Sequence, residues 1–333
     1  MPRIILAITI LLISHCVKAG YSTYTYAPHN FKLSDFSNLE TLIVKEYVDQ
    51  YDCSTYDIKS EEINSFTEKK FEEKLLYGEV EEELVFEKSY SFDDSCRLVS
   101  KEKDNETVTY IDYSGSKEKA AWLWQHGDYE HEYTLETNDN DKPYKLTRIN
   151  DPDGDARKEL LVVEYNENDE NQFIQKATKY DTNGKIAHIA LFTYEDDMVV
   201  VDIDFQGFLR RYKYQFENGL LKFASEINAK SNGDLIRVEK LFFSYDDDGN
   251  LIEKRVENFS EKFLGAWQNK LSYSWLTEYN TKGLVKLFRT EDETYEYTYD
   301  YDDHGNWIKK VTTKKQEPGK REIYIRELNY PWW

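Results

Sequence analysis

Apolar and polar residues alternate along much of the chain with a period of two. The strongest case begins at Tyr295, where tyrosines stand at every second position as far as Tyr301. A run of Asp, His, Gly and Asn then interrupts the alternation, and Trp307 opens a second β-prone segment that reaches Val311. Alternation on both sides of a Gly/Asn turn is typical of a β-hairpin. The pattern therefore predicts a hairpin here, and weaker copies predict further hairpins upstream.

The copies place an aromatic residue, an acidic or amide turn, usually a glycine, and then an aliphatic residue or Trp. They cover residues 90–99, 178–189, 214–223, 243–254, 277–288 and 299–311. Glycine adopts the positive φ of tight turns, and Asp and Asn cap their own backbone. The turn glycines are unevenly spaced, which indicates degenerate hairpins and not a strict solenoid; they are Gly184, Gly219, Gly249, Gly283 and Gly305.

The predicted fold class is all-β, an elongated and twisted antiparallel sheet of consecutive hairpins. One exception is expected near the N-terminus. Residues 59–77 are predicted to include a short helix, because four apolar residues fit one helical face tolerably: Ile63, Phe66, Phe71 and Leu75.

Three of the turns carry a motif of the form Tyr-Asp-x-x-Gly. Tyr180-Asp181 leads to Gly184, Tyr245-Asp246 to Gly249, and Tyr301-Asp302 to Gly305. In these residues the chain resembles the tyrosine-aspartate (YD, or RHS-type) repeats of exported bacterial proteins. The resemblance implies a long, coiled antiparallel sheet that is usually non-catalytic and acts at the cell surface or around a partner.

The N-terminus has the form of a secretory signal peptide. Arg3 precedes an apolar run from Ile4 to Ile13 that is too short to span a bilayer, and Val17-Lys18-Ala19 is an acceptable cleavage site. We therefore expect export to the bacterial periplasm, the cell surface or the extracellular medium, with no transmembrane segment in the mature chain. The predicted organisation is a signal peptide (1–19), a lead-in with the first hairpins (20–80) and a hairpin-repeat domain (81–333).

The net charge limits the partners of the chain. It is −21 at pH 7, and such a protein repels nucleic acid because phosphate contacts require clustered Lys and Arg. The partner is predicted to be an unidentified protein or a glycan.

Two cysteines remain once the signal peptide is removed, Cys53 and Cys96. An even pair in an oxidising compartment predicts one disulfide bond. Both cysteines follow an aromatic-Asp pair, so we expect the bond to join two neighbouring hairpin tips.

An acidic loop at residues 150–159 is the candidate metal site, and calcium is the one cofactor that we consider. Calcium takes six to eight oxygen ligands, which carboxylates at alternate loop positions followed by a later acid can supply. The segment is similar to the calcium hairpin of FG-GAP propeller repeats, and the alternative is an acidic, solvated turn. The proposed ligands are Asp151, Asp153, Asp155, Glu159 and the carbonyl of Arg157.

Other chemistry is less well supported by the sequence. His126 and His131 lie among acids, but alternation along a strand would turn Glu130 and Glu132 away from His131. No Ser-His-Asp signature, phosphate loop or His-Glu-x-x-His motif occurs. We therefore expect a non-enzymatic binding or structural module, with a secreted hydrolase as the less favoured alternative.

The tyrosine ladder is the candidate binding surface. Tyr295, Tyr297, Tyr299 and Tyr301, with Trp307 after the turn, would share one face and stack a sugar or a peptide. The alternative is that these rings pack against a neighbouring strand or layer, as aromatics on one face of a sheet often do.

Overall fold

The structure is a computed structural model. It describes residues 33, 57–58, 63–76, 79–93, 98–103, 106–115, 119–126, 129–138, 143–150, 157–166, 172–205, 208–260, 271–317 and 319–330. The predicted signal peptide, Cys53 and Cys96, and the acidic loop at 151–156 lie outside these residues. The predictions made for them therefore stay predictions.

Twenty β-strands and their turns make up nearly all of the described chain. They are β1 (Ser65–Leu76), β2 (Glu79–Phe92), β3 (Leu98–Lys103), β4 (Glu106–Gly115), β5 (Lys119–His126), β6 (Tyr129–Thr137), β7 (Pro143–Asn150), β8 (Arg157–Tyr165), β9 (Ile174–Tyr180), β10 (Ile186–Glu195), β11 (Met198–Phe205), β12 (Phe208–Glu217), β13 (Leu220–Lys230), β14 (Leu235–Tyr245), β15 (Leu251–Ser260), β16 (Leu271–Tyr279), β17 (Val285–Thr290), β18 (Thr294–Tyr301), β19 (Trp307–Lys314) and β20 (Arg321–Asn329).

Each strand pairs antiparallel with the next one along the chain, and all twenty belong to one sheet. The predicted all-β sheet of consecutive hairpins is confirmed. One pairing joins distant parts of the sequence, because β1 also pairs with β20, from Ser65 opposite Asn329 to Glu73 opposite Arg321. No helix in the described residues is long and apolar enough to span a membrane.

The predicted short helix within 59–77 is wrong where the structure describes it, because Ser65–Leu76 is strand β1. Phe66 is 1% exposed and pairs with Tyr90 of β2, whereas Phe71 lies on the opposite face. Pairing with β2 on one side and β20 on the other satisfies the backbone, and this tertiary pairing outweighs a weak helical pattern.

The repeated turns have one common geometry. Asp181 Oδ1 accepts the backbone N–H groups of Asn183 and Lys185, both at 2.9 Å, and Gly184 adopts a φ of +73°. The same pattern of side-chain oxygen and positive-φ glycine recurs at Asp246, Asn280 and Asp302. An Asx residue and a glycine three positions later thus fix each reversal.

One face of the sheet, which we call the core face, carries the larger apolar cluster. Leu161, Val201, Tyr212, Leu241 and Val256 belong to it, each at most 4% exposed. Burying a large apolar side chain contributes about 1.5–3 kcal/mol, so this cluster is a major source of stability. A smaller cluster lies near the β1–β20 pairing and consists of Ile58, Ile63, Phe66, Tyr90, Phe92 and Leu98.

The tyrosine ladder lies on the same core face. Directly opposed residues on paired strands share a face. A continuous series of such pairs leads from the larger cluster to the ladder: Phe243, Lys254, Thr277, Phe288 and Tyr295.

Candidate functional site

Strand β18 presents its tyrosines on one face, as the alternation predicts. All four tyrosines from Tyr295 to Tyr301 are half-buried, whereas Glu296, Thr298 and Asp300 between them are exposed on the other face. Trp307, the first residue of β19, is 1% exposed. The structure therefore brings the predicted aromatic residues together, with the tyrosines partly accessible and the indole enclosed.

Much of the C-terminal half of the ladder is held by other groups. The Tyr299 hydroxyl donates to the Val285 carbonyl at 2.8 Å, and its ring meets Trp307 edge-on with centroids 6.2 Å apart. Lys282 Nζ lies 3.6 Å from the centroid of Tyr301. These contacts fix the C-terminal rings, and at the other end of the ladder the Tyr295 hydroxyl donates to Glu293 at 2.8 Å.

A row of alternating rings and cations continues the ladder across the sheet. Tyr299 pairs with Lys310, Lys310 with Tyr324, and Tyr324 with Lys70 on β1. Lys310 Nζ lies 3.9 Å from the centroid of Tyr324, which is close enough for a cation–π interaction. Lys70 Nζ donates to Glu322 at 2.6 Å, next to the same ring.

Arg326 of β20 lies at the centre of the contacts beside this row. Its guanidinium is 3.5 Å from the centroid of Trp307 and 4.8 Å from that of Phe66. Its Nε donates to Glu68 at 3.1 Å, and the two side chains are only 5% and 12% exposed. An enclosed, aromatic-sandwiched ion pair therefore joins β1, β19 and β20.

Asp57 reaches the same place from the lead-in segment. It adopts a φ of +57°, in the left-handed region, and the adjacent Ile58 is buried in the smaller cluster. Burial raises the pKa of Asp57, while Arg326 and Lys310 oppose this. Asp57 is nevertheless exposed, which weakens the effect of burial on its pKa. We call Asp57, Glu68, Trp307, Lys310 and Arg326 the junction cluster.

Burial shifts the pKa of several groups around the junction cluster. It lowers the pKa of Lys310 and of Arg326 and raises the pKa of Tyr324. The Glu68 carboxylate opposes the shift in both cations, so the groups are close enough to influence one another. Shifted pKa values concentrated in one group of charged side chains are characteristic of functional sites, which makes this cluster the candidate site.

A second set of buried charges lies on the core face of β13–β15. Glu226 and Glu239 are each 1% exposed and directly opposite one another. Asn228 donates to Glu226 at 2.8 Å, and Arg237 and Asn258 donate to Glu239 at 2.5 and 3.1 Å. Both acids thus have partners in the sheet, which fits a structural role.

The proposed calcium ligands are only partly described. Arg157 begins β8, and Glu159 is buried on that strand, 7% exposed. Its Oε2 lies 3.3 Å from Lys179 Nζ and 3.9 Å from Arg148. Calcium at the loop would have to compete with these cations for Glu159. Across the described ranges, no group of three or more His, Cys, Asp or Glu residues is arranged to hold a metal ion.

Two further histidines lie in a strand pair and in a repeated turn. His131 lies opposite Trp124 in the β5–β6 pair. His304, in the Asp302 turn, stacks on Tyr330 with centroids 4.2 Å apart, and the Tyr330 hydroxyl donates to Asp302. Asn306 donates to the Tyr330 hydroxyl at 2.8 Å, so this turn is tied to the chain just after β20.

Sequence analysis did not identify Glu68, Lys310 or Arg326 as site residues. A signal for them was present, because Glu68 shares a strand face with Phe66, Arg326 shares one with Tyr324, and Lys310 lies opposite Tyr299. Charged residues are rarely buried unless they are paired. Charges at strand positions that should be apolar would thus have pointed to this cluster, given the correct strand assignment for β1.

Comparisons with known proteins give only weak structural similarities. The sequence matches no known protein family and no curated protein. Among solved structures, the chain is similar to a porin-like protein from Bacteroides uniformis, at 9% identity over 80% of this chain and 98% of that one, with a TM-score of 0.35. A porin-like protein from Bacteroides vulgatus gives 13% identity over 81% and 99%, with a TM-score of 0.30.

A third similar structure is the TcdB2-TccC3 complex, at 9% identity and a TM-score of 0.28. The match covers 73% of this chain but only 15% of that chain. Similarities this weak carry no conclusion about function.

Proposed function

We propose that this protein is an exported, non-enzymatic binding module that holds a glycan on the core face beside the junction cluster. The observation that carries the proposal is the row from Tyr299 through Lys310 and Tyr324 to Lys70. Sugar rings are bound by aromatic faces together with charged groups that bond to their hydroxyls, and this row supplies both on a rigid sheet.

The partly accessible side chains in and beside the row define which residues would contact the ligand. Tyr297 and Tyr324 are half-exposed, and the Glu322 side chain beside them is 42% exposed. Trp307 is enclosed by Arg326 and would support the surface without touching the sugar. The contact residues are therefore Tyr297, Tyr324 and Glu322, with the junction cluster behind them.

The pairing of the acids favours binding over hydrolysis. Glu68 is paired with Arg326 and Glu322 with Lys70, so both carboxylates are held next to cations. Each carboxylate is thus held in place by a cation and positioned to accept hydrogen bonds from sugar hydroxyls. A secreted hydrolase remains the alternative that the experiment must address.

A structural scaffold is a second candidate, and one observation favours it. The Tyr299 hydroxyl and the Tyr301 ring are already engaged by Val285 and Lys282. A ladder of this kind stabilises the sheet whether or not a ligand binds.

A glycan array probed with the mature, purified protein tests the proposal. We expect binding to a subset of oligosaccharides that is lost in Tyr324→Leu and kept in Tyr273→Leu, an exposed tyrosine elsewhere on the sheet. Turnover of chromogenic glycosides would support the hydrolase instead. If the folded protein binds no glycan, the structural scaffold is the remaining candidate function.

A further inference from the structure

The β1–β2 hairpin extends beyond both of its neighbours. β20 pairs with β1 only as far as Glu73, and β3 pairs with β2 only from Lys88 to Phe92. The two strands of the hairpin nevertheless continue together to Leu76 opposite Glu79. Within the described chain, Val80, Glu82 and Leu84 therefore have a strand partner on the β1 side alone.

This protruding edge exposes large apolar side chains. Val80 is 59% exposed and Leu84 is 50% exposed. Leu84 lies opposite Phe71, and Phe71 lies opposite Ile323 of β20, which is 5% exposed. An apolar row thus runs from the hairpin onto the face opposite the core face. Exposed apolar residues beside an open strand edge are typical of an interaction site.

Acidic residues give this edge its charge. Glu79, Glu81 and Glu82 are exposed, and none of the three forms an ion pair with the described residues. A basic segment would be attracted to them. A second copy of this hairpin, paired edge to edge, would bring acids close to acids across the strands, which is unfavourable.

A β-bulge sets the limit of the edge. The register between β1 and β2 shifts at Lys70 and Phe71, because Val85 is an additional residue between Leu84 and Phe86. A bulge bends the strand and interrupts its edge, so the continuous edge runs from Glu79 to Leu84.

We propose that the β2 edge from Glu79 to Leu84 docks an extended, basic segment of a partner protein, which adds a strand to the sheet. Main-chain hydrogen bonds along the open edge would give affinity. Lys or Arg side chains of the partner would meet Glu79 and Glu81 on one face of β2, and its alternate apolar side chains would pack on Val80, Leu84 and the row behind them on the other face. This docking surface is separate from the glycan surface on the core face.

Fluorescence anisotropy with synthetic peptides tests the proposal on the mature protein. The probe alternates Lys and Val, and the comparison peptide replaces each Lys with Glu. We expect the basic peptide alone to bind, with at least a tenfold loss in Leu84→Ser. Leu191→Ser removes another exposed leucine, 52% exposed on β10, and should bind the peptide like the parent protein.

Charge reversal separates a docking site from general attraction to an acidic protein. The double variant Glu79→Lys/Glu81→Lys should lose the basic peptide and gain the acidic one. The control Glu195→Lys/Asp300→Lys changes the net charge equally at exposed positions elsewhere and should behave like the parent. Equal losses in the two double variants would overturn the proposal. A dimer that light scattering detects and that Leu84→Ser abolishes would also overturn it, because the occupant would then be a second copy.

Discussion

The guanidinium of Arg326 lies 3.5 Å from the centroid of Trp307 and donates to Glu68 at 3.1 Å. One side chain thus connects the beginning of the sheet to its end, since Glu68 belongs to β1 and the other two residues to β19 and β20. The β1–β20 pairing brings these strands together, and the candidate site forms where they meet.

Loss of Arg326 should destabilise the protein strongly. Arg326→Met would leave the enclosed Glu68 carboxylate without its cation, and breaking a buried pair in this way costs about 3–5 kcal/mol. Urea unfolding measures the free energy. Lys69→Met is the control, because its partner Glu327 is 68% exposed and such pairs contribute about 0–1 kcal/mol. The double variant Glu68→Gln/Arg326→Met should recover part of the loss, and a double variant less stable than Arg326→Met would contradict this explanation.

The repeated turns should respond alike to a β-carbon. Gly184 and Gly249 adopt φ of +73° and +82°, with no atom closer than 3.9 Å to an added Cβ. Gly→Ala at either position should therefore lower the free energy of unfolding through backbone strain alone, by about 1–2 kcal/mol. Gly319→Ala is the matched control, since Gly319 has ordinary φ and open surroundings. No loss at Gly184 and Gly249, or an equal loss at Gly319, would mean that the turns do not depend on positive φ.

The free energy of unfolding should decrease as the pH falls, and His188 should account for part of this decrease. Burial, with Lys179 and Arg210 nearby, lowers the pKa of His188 to about 4, from an unfolded value near 6.5. Between these values the unfolded chain binds a proton that the folded chain does not. The contribution of His188 is thus complete above about pH 6.5 and is lost as the pH falls towards about 4. Urea unfolding at about pH 7 and about pH 5 should show a larger loss in the parent than in His188→Gln; equal losses would contradict the assignment.

Calcium should raise the melting temperature if the acidic loop binds it. A ligand that binds only the folded state raises the free energy of unfolding with the logarithm of its concentration once that exceeds Kd, and Asp153→Ala should abolish the response. Calcium would have to compete with Lys179 for the Glu159 carboxylate, because these two side chains are already paired. Differential scanning calorimetry measures the melting temperature in excess calcium and in chelator. Equal values would mean that the loop is an acidic turn and not a calcium site.

The sequence was most informative where structure is local. A turn such as Asp181 to Lys185 is fixed by contacts within five residues, so its Asp and Gly predict it. β1 was missed because its strand character depends on pairing with Tyr90 and with residues as distant as Leu328. The same distance hid the junction cluster, since Glu68 and Arg326 are near neighbours only once β1 and β20 pair.

Isothermal titration calorimetry with an oligosaccharide selected on the array tests the central claim most directly. The claim predicts that the mature protein and Tyr273→Leu bind it with similar affinity. Tyr324→Leu should bind at least tenfold more weakly, a difference of about 1.4 kcal/mol. Equal affinity in Tyr324→Leu, or no binding heat with any selected oligosaccharide in the parent protein, would contradict the claim that the aromatic row is a glycan-binding surface.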